Sequence, residues 1–146
     1  MRDIEYRLAT AEDAAAIAAI YAPYVRDTII SFETEPPDAA EIAARIERIG
    51  RQYPWLTASA EGRVVGYAYA SLYRTRSAYR HTLEDSVYVR EGFAGRGIGL
   101  ALLTELIERC SHGPWRQMVA VIGDSANHAS IGLHRKLGFR DAGNLE

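Results

Sequence analysis

Gly95, Arg96, Gly97, Ile98, Gly99 and Leu100 follow a β-branched and aromatic run, Ser86-Val87-Tyr88-Val89, and open an amphipathic stretch that continues through Leu103. Three glycines in five positions leave backbone amides bare where a helix begins. The first N–H groups of a helix lack intrahelical partners, and the helix dipole favours negative charge beside them. The spacing therefore suits a phosphate or diphosphate. Glycine weakens helices and strands, so packing alone accounts for one such residue better than for three. No Gly-Lys-Ser/Thr follows the turn, so the lysine and the magnesium-binding hydroxyl of a P-loop are missing. A dinucleotide fingerprint needs glycine where Leu100 stands. Asp124 can imitate its ribose-binding acid, but the strands before the turn read as antiparallel. Stabilisation by NAD would mark that reading.

The elements that hold this turn can be read from periodicity. A chain of 146 residues is expected to form one domain around one core. Its 48% apolar content is ordinary for a globular protein. With 17 basic and 19 acidic residues, the net charge of −2 argues against nucleic acid as the main partner. Met1 to Tyr6 carries no apolar signal core, and no apolar run is long enough to span a bilayer, so a soluble cytoplasmic protein is expected. Cys110, the single cysteine, falls on a helical apolar stripe and reads as buried filler.

Ile4, Tyr6 and Leu8 alternate as in a strand with one buried face. Thr10 and Asp13 start a helix whose inner stripe is Ile17, Ile20, Tyr21, Tyr24 and Val25. Pro36-Pro37-Asp38 starts a second helix, with Asp38 and Glu41 as a capping pair. Trp55 to Ser59 and Val64 to Tyr73 read as a hairpin turned at Glu61-Gly62-Arg63, and Leu83 to Val89 as a further strand. Ile98 to Cys110 is the third helix. Met118 to Ile122 reads as a strand covered on both faces, and Asn127 to Leu137 as a fourth helix ended by Gly138. A last strand is expected from Phe139. The order β-α-α-β-β-β-α-β-α-β implies an α/β (mixed α+β) fold: a mixed, mostly antiparallel sheet flanked by about four helices.

Val87-Tyr88-Val89 followed by Gly95-Arg96-Gly97-Ile98-Gly99 resembles the acetyl-CoA motif of the GNAT N-acetyltransferase superfamily. Asn127-His-Ala-Ser-Ile-Gly-Leu-His134-Arg-Lys-Leu-Gly-Phe139 resembles that superfamily's later motif. Tyr53-Pro-Trp-Leu56, Gly66-Tyr-Ala-Tyr-Ala70, Arg74-x-Arg76-x-Ala-Tyr79, Thr82-x-Glu84-x-Ser-Val-Tyr-Val89 and Met118-Val-Ala-Val-Ile-Gly123 are similar to the phosphinothricin N-acetyltransferase and L-amino acid N-acyltransferase branch. The resemblance covers the whole chain. It implies a GNAT-like fold, acetyl-CoA as cosubstrate, no metal and a homodimer. The implied reaction is acetyl transfer to the α-amine of a small anionic amino acid such as phosphinothricin, methionine sulfone or methionine sulfoximine. Ala94 departs from the pattern, which commonly has Gln or Arg there. Family members also continue past Leu145 through a closing strand pair, so residues 1–146 are expected to be a single acetyltransferase domain lacking the last strand. A non-catalytic coenzyme A-binding module, or truncated paralogue, is the alternative.

The resemblance assigns roles. Glu84 is the base for the amine. A backbone N–H from Val87, Tyr88 or Val89 faces the oxyanion, and the same edge pairs with the pantetheine arm. Gly95, Arg96, Gly97, Ile98, Gly99 and Leu100 hold the diphosphate, with Arg96 as a source of positive charge. Asn127 caps the fourth helix and contacts the coenzyme. His134 stands where many relatives carry a proton-donating tyrosine. It is a proton donor or a substrate contact, against the plain alternative of a half-buried histidine. Arg74, Arg76 and Tyr79 match positions that bind the acidic substrate, within a basic run that includes Arg80 and His81. Phe32 is a pocket wall or ordinary core. No nucleophilic Cys or Ser is placed to carry the acetyl group, so the amine attacks directly.

Overall fold

In the computed structural model, which describes residues 3–27, 33–73, 80–121 and 128–142, strand β1 (Ile4–Leu8) leads through a 3-10 turn (Ala11–Asp13) into α1 (Ala14–Asp27). Then come α2 (Ala39–Gly50), β2 (Trp55–Ala60), β3 (Arg63–Leu72), β4 (Thr82–Val89), α3 (Ile98–Ser111), β5 (Gln117–Val119) and α4 (His128–Lys136). The strands form one sheet in the order β1-β2-β3-β4-β5. Its first four strands are antiparallel, and β5 lies parallel to β4. The mixed, mostly antiparallel sheet is therefore the one expected from the element order. Among the described residues no helix is long and apolar enough to cross a membrane.

Strand alternation sends side chains to two helix layers. On one face Leu56, Ala58, Ala68, Ala70 and Leu83 meet Ile98, Leu102, Leu103, Leu106 and Cys110 of α3. On the other, Trp55, Val64 and Tyr67 meet Ile17, Ile20 and Tyr21 of α1 and Ile42 and Ile46 of α2. Both faces of β2 are covered, so all six of its residues are buried. The small residues of β3 set how closely α3 approaches. A Cβ on Gly66 would lie 3.1 Å from Ile98 Cγ2, 3.2 Å from Leu102 Cδ1 and 3.2 Å from the Tyr88 carbonyl oxygen. The first turn of α3, which follows the glycine loop, is thus pressed directly onto the sheet.

Local chemistry sets the helix starts. Asp13 accepts from the Thr10 N–H at 2.8 Å, as the sequence implied, but the turn it closes is a 3-10 turn ahead of α1. The same carboxylate takes two bonds from Arg7 of β1, at 2.6 and 2.8 Å. Asp38 caps α2 by accepting from the Glu41 N–H at 2.8 Å. Gly138, at φ +92°, ends α4 in a Schellman arrangement: Phe139 N–H donates to the His134 carbonyl at 3.1 Å and Gly138 N–H to the Arg135 carbonyl at 3.0 Å.

Three local expectations are corrected. Leu8 is 51% exposed rather than inward: it is the last residue of the edge strand β1, of which Ile4 and Tyr6 pack against the core. β5 is only Gln117–Val119, with Met118 and Val119 half-buried; Ala120 and Val121 leave the sheet and line a cleft. Residues 139–142 form no strand, and Phe139 instead packs its ring against His134.

Candidate active site

The parallel pairing of β4 with β5 covers Thr82↔Gln117, Leu83↔Met118 and Glu84↔Val119 and goes no further. On its other side β4 stays paired with β3 as far as Val89↔Gly66. Beyond Glu84 the two parallel strands diverge, and a cleft of about 840 Å³ opens between them, a size typical of small-molecule sites. Arg90 N–H donates to the Val65 carbonyl at 2.7 Å. The antiparallel ladder alternates, so the N–H and C=O groups of Val87 and Val89 point the other way, toward the cleft. Such a strand edge can accept another extended polar chain. Tyr24, from α1, donates its hydroxyl to the Val89 carbonyl at 2.8 Å; burial pushes its pKa up and keeps it a donor.

One end of the cleft is the glycine loop. Gly95 and Gly97 have φ +78° and +79°, a region that costs a residue with a Cβ about 1–2 kcal/mol. Gly97 is the N-cap of α3, and its carbonyl accepts from Ala101 N–H at 3.0 Å. Gly99 is helical and faces Leu133 of α4, to which a Cβ would come within 3.5 Å. Gly95, Gly97, Gly99 and Leu100 line the cleft, and Ile98 buries its side chain in the core beneath. Arg96 sets its guanidinium 4.8 Å from the centre of the Phe93 ring and does not line the cleft. Among the described lining residues, the cationic side chain is Lys136 of α4, alongside His134.

Alternation along β4 sends Glu84, Ser86 and Tyr88 to the α1/α2 face and Asp85, Val87 and Val89 to the α3/α4 face. Glu84 lies at the vertex of the divergence, the last position paired to both neighbours. Around it the α1/α2 side is aromatic. Tyr88 meets the rings of Tyr21 and Tyr24 edge-on, each at 5.0 Å. Tyr69 stacks on Trp55 at 4.0 Å, and burial pushes its pKa up. Tyr21 donates its hydroxyl to Glu33. Arg45 gives Glu33 two bonds, at 2.7 and 3.2 Å, and its hydrogen bonding holds that carboxyl below the usual carboxylate range. A half-buried carboxylate beside tyrosine hydroxyls can receive a cationic amine and take a proton from it.

On the other face His134 is buried between two acceptors. Its Nε2 lies 2.8 Å from Asp85 Oδ1, and its Nδ1 lies 2.8 Å from the Ser130 carbonyl oxygen. Burial opposes the charged ring, but the hydrogen bond and charge of Asp85 outweigh it, and the His134 pKa lies above the ordinary histidine value. The Phe139 ring stands edge-on at 4.9 Å and 90°. Cys110 lies in the core under α3, its thiol pushed up to about 11, chiefly by burial.

Glu84, Val87, Tyr88, Val89, Gly95, Gly97, Ile98, Gly99, Leu100 and His134, far apart in sequence, thus line one cleft. Phe32, Arg74, Arg76, Tyr79 and Asn127 lie outside the described residues. The His81 carbonyl accepts from Arg116 and Gln117 N–H groups at 2.8 and 3.2 Å, which starts the β4–β5 pairing. The sequence reading missed Asp85, Lys136 and the Tyr24, Glu33 and Tyr69 group. Asp85 left a trace: an acid at an inward position of an apolar strand, one residue from Glu84 and on the opposite face.

An anion-ready loop, an open strand edge and a carboxylate at its vertex describe a group-transfer enzyme, and the comparisons give its class as acetyltransferase. Residues 16–139 match the acetyltransferase (GNAT) family model, and the chain belongs to that family. It is 50% identical over 141 residues to a phosphinothricin N-acetyltransferase of Alcaligenes faecalis, covering 96% of this chain and 72% of that one. It is 44% identical over 135 residues to an L-methionine sulfoximine/L-methionine sulfone acetyltransferase of Pseudomonas aeruginosa, covering 91% of this chain and 78% of that one. A solved GNAT superfamily phosphinothricin acetyltransferase from Sinorhizobium meliloti, in complex with AcCoA, matches with a TM-score of 0.88 and 47% identity over 94% of this chain and 75% of that one.

Proposed function

We propose that this chain transfers the acetyl group of acetyl-CoA to the α-amine of a small anionic amino acid of the phosphinothricin, methionine sulfone or methionine sulfoximine type. The observation that carries this reading is the cleft at the β4–β5 divergence, with open glycine amides at one end and Glu84 among tyrosines at the other. The named activities of relatives at 50% and 44% identity support the acceptor class. The donor set fits acetyl-CoA. Amides at the start of α3 and the Lys136 ammonium suit phosphates, and the Val87–Val89 edge suits the amides of the pantetheine arm. Asn127 is a further contact in this reading.

Bound acetyl-CoA supplies the acetyl thioester. Glu84 takes the proton of the acceptor ammonium, and the surrounding tyrosine rings limit access of water. A backbone N–H of the Val87–Val89 edge donates to the carbonyl oxygen as negative charge develops there. His134, in the cleft lining, is in this reading a proton donor or a contact to the acceptor. In this reading Arg74, Arg76 and Tyr79 bind the acceptor's acidic group, the arginines through planar forks, and Phe32 is a wall of the pocket. Direct attack by the amine is supported by Cys110, which is buried in the core with its thiol pushed up to about 11 and is no nucleophile at neutral pH. Mixing protein, acetyl-CoA and these amines is expected to release free thiol, and Glu84→Gln to slow release by about 10²-fold or more. Folded protein that releases no thiol across a broad amine panel refutes the reading.

A further inference from the structure

The connection between α1 and α2 carries a carboxylate that both helices hold. Glu33 lies between Asp27, the end of α1, and Ala39, the start of α2. Its Oε1 accepts from Arg45 Nη2 at 2.7 Å and its Oε2 from Arg45 Nη1 at 3.2 Å. Such a fork fixes a carboxylate in orientation as well as in place. Oε2 also accepts from the Tyr21 hydroxyl. Both holders are themselves anchored. Arg45 donates through Nε to Glu41 at 3.1 Å, and its helix is seated on the sheet by Ile42 and Ile46. Tyr21 is buried in α1 with its ring edge-on to Tyr88 of β4. The side chains of Arg45 and Glu33 are only 23% and 33% exposed, so salt screens this pair less than an ion pair on the open surface. Hydrogen bonding from Arg45, and less from Tyr21, holds the Glu33 carboxyl below the usual carboxylate range, so the pair is ionised at neutral pH.

Glu33 also lines the cleft, together with Tyr21, Tyr69 and Glu84. Besides the effect of burial, Tyr69 feels the charges of Arg45, Glu33 and Glu84, so the ion pair and the base of the proposed reaction lie close to one tyrosine. The guanidinium cancels most of the Glu33 charge at short range, which leaves Glu33 little pull on an arriving ammonium. Glu33 is therefore a fixed part of the wall and not a receiver for the amine.

We propose that Arg45, Glu33 and Tyr21 form a clamp that fixes the acceptor-side wall of the cleft, with Arg45 and Glu33 as positioning residues that set how tightly the amine is held. This rests on the reading of the Glu84 side of the cleft as the acceptor site. Glu33 directly follows Phe32, which that reading makes a wall of the pocket. The clamp joins α1 to α2 and touches neither α3 nor the glycine loop, so its effect falls on the acceptor and not on acetyl-CoA. It takes no part in proton transfer, so the chemical step is left as it is.

The test compares Arg45→Met, which keeps the apolar stem and removes the fork, with the exchanged pair Glu33→Arg and Arg45→Glu in one chain. Both are assayed by thiol release with acetyl-CoA and the best amine. Arg45→Met is expected to raise KM for the amine about fivefold or more, with kcat and KM for acetyl-CoA within about twofold of wild type. The exchanged pair rebuilds the fork in reverse, and the Tyr21 hydroxyl can accept where it formerly donated. It is expected to bring KM for the amine back to within about twofold of wild type. An unchanged amine KM in Arg45→Met overturns the proposal. So does an exchanged pair no better than Arg45→Met, since the Glu33 carboxylate would then be touching the acceptor itself. Wild-type protein that releases no thiol across the amine panel refutes the acceptor-site reading instead. Amide hydrogen exchange at Glu33, Thr34 and Glu35 then decides on the clamp: faster exchange in Arg45→Met, slowed again in the exchanged pair, is the expected result, and unchanged exchange overturns it.

Discussion

Replacing Gly66 with alanine tests how the fold positions the anion-binding loop. The added Cβ would stand 3.1 Å from Ile98 Cγ2, 3.2 Å from Leu102 Cδ1 and 3.2 Å from the Tyr88 carbonyl oxygen. None of the three can yield easily. Ile98 and Leu102 are buried in the core, and Tyr88 is held in the β3–β4 ladder opposite Tyr67. Overpacking by one methyl in such a site costs about 1–3 kcal/mol. Restricting the unfolded chain at a former glycine returns about 0.4–1 kcal/mol. The net loss is then about 1–2 kcal/mol, which lowers Tm by roughly 3–8 °C for a chain of this size. The shape of the loss matters more than its size. Relief comes most readily by lifting the first turn of α3, which carries the amides of Gly97 and Gly99 away from the cleft. Thermal unfolding and thiol-release kinetics measured together should show a lower Tm and a raised KM for acetyl-CoA, with KM for the amine little changed. An unchanged or higher Tm with an unchanged KM would refute the argument that Gly66 sets the seat of the loop.

Two more outcomes follow from the same geometry. Lys136→Glu is expected to weaken coenzyme A binding about tenfold or more at low salt, less at high salt, with no loss of fold, read by calorimetry. His134 has a raised folded pKa, so the stability it contributes is complete below its unfolded value of about 6.5 and is lost as pH rises through the folded value. Urea midpoints of wild type and Asp85→Asn should therefore converge as pH rises above that window, and a constant gap would contradict the ion pair.

Much of the architecture was legible because it is written in local periods. The hairpin of β2 and β3, the helix running from Ile98 past Cys110, the helix start at Asp38 and the stop at Gly138 all act within a few residues, and all appear where they were read. Leu8 and the shortened β5 were misread for one reason. Alternation shows that a strand has two faces but not whether a neighbour covers them, and that depends on how far each helix layer extends. The placement of Arg96 has a similar cause, since its nearest favourable surface is the Phe93 ring, a choice that appears only once the loop is folded.

By itself the sequence determined the element order, the glycine-opened helix and the presence of a carboxylate, an imidazole and a basic run in a pattern shared with one family. These depend on residue identity and short-range spacing, which survive without coordinates. Only the tertiary structure decided that β4 and β5 part after Glu84, that Glu84 and Asp85 face opposite sides of one strand, and that His134 lies against Asp85. Those facts come from pairings between segments as far apart as positions 85 and 134. They rest on packing and on the need to compensate a buried charge, and neither is encoded in any one stretch of the chain.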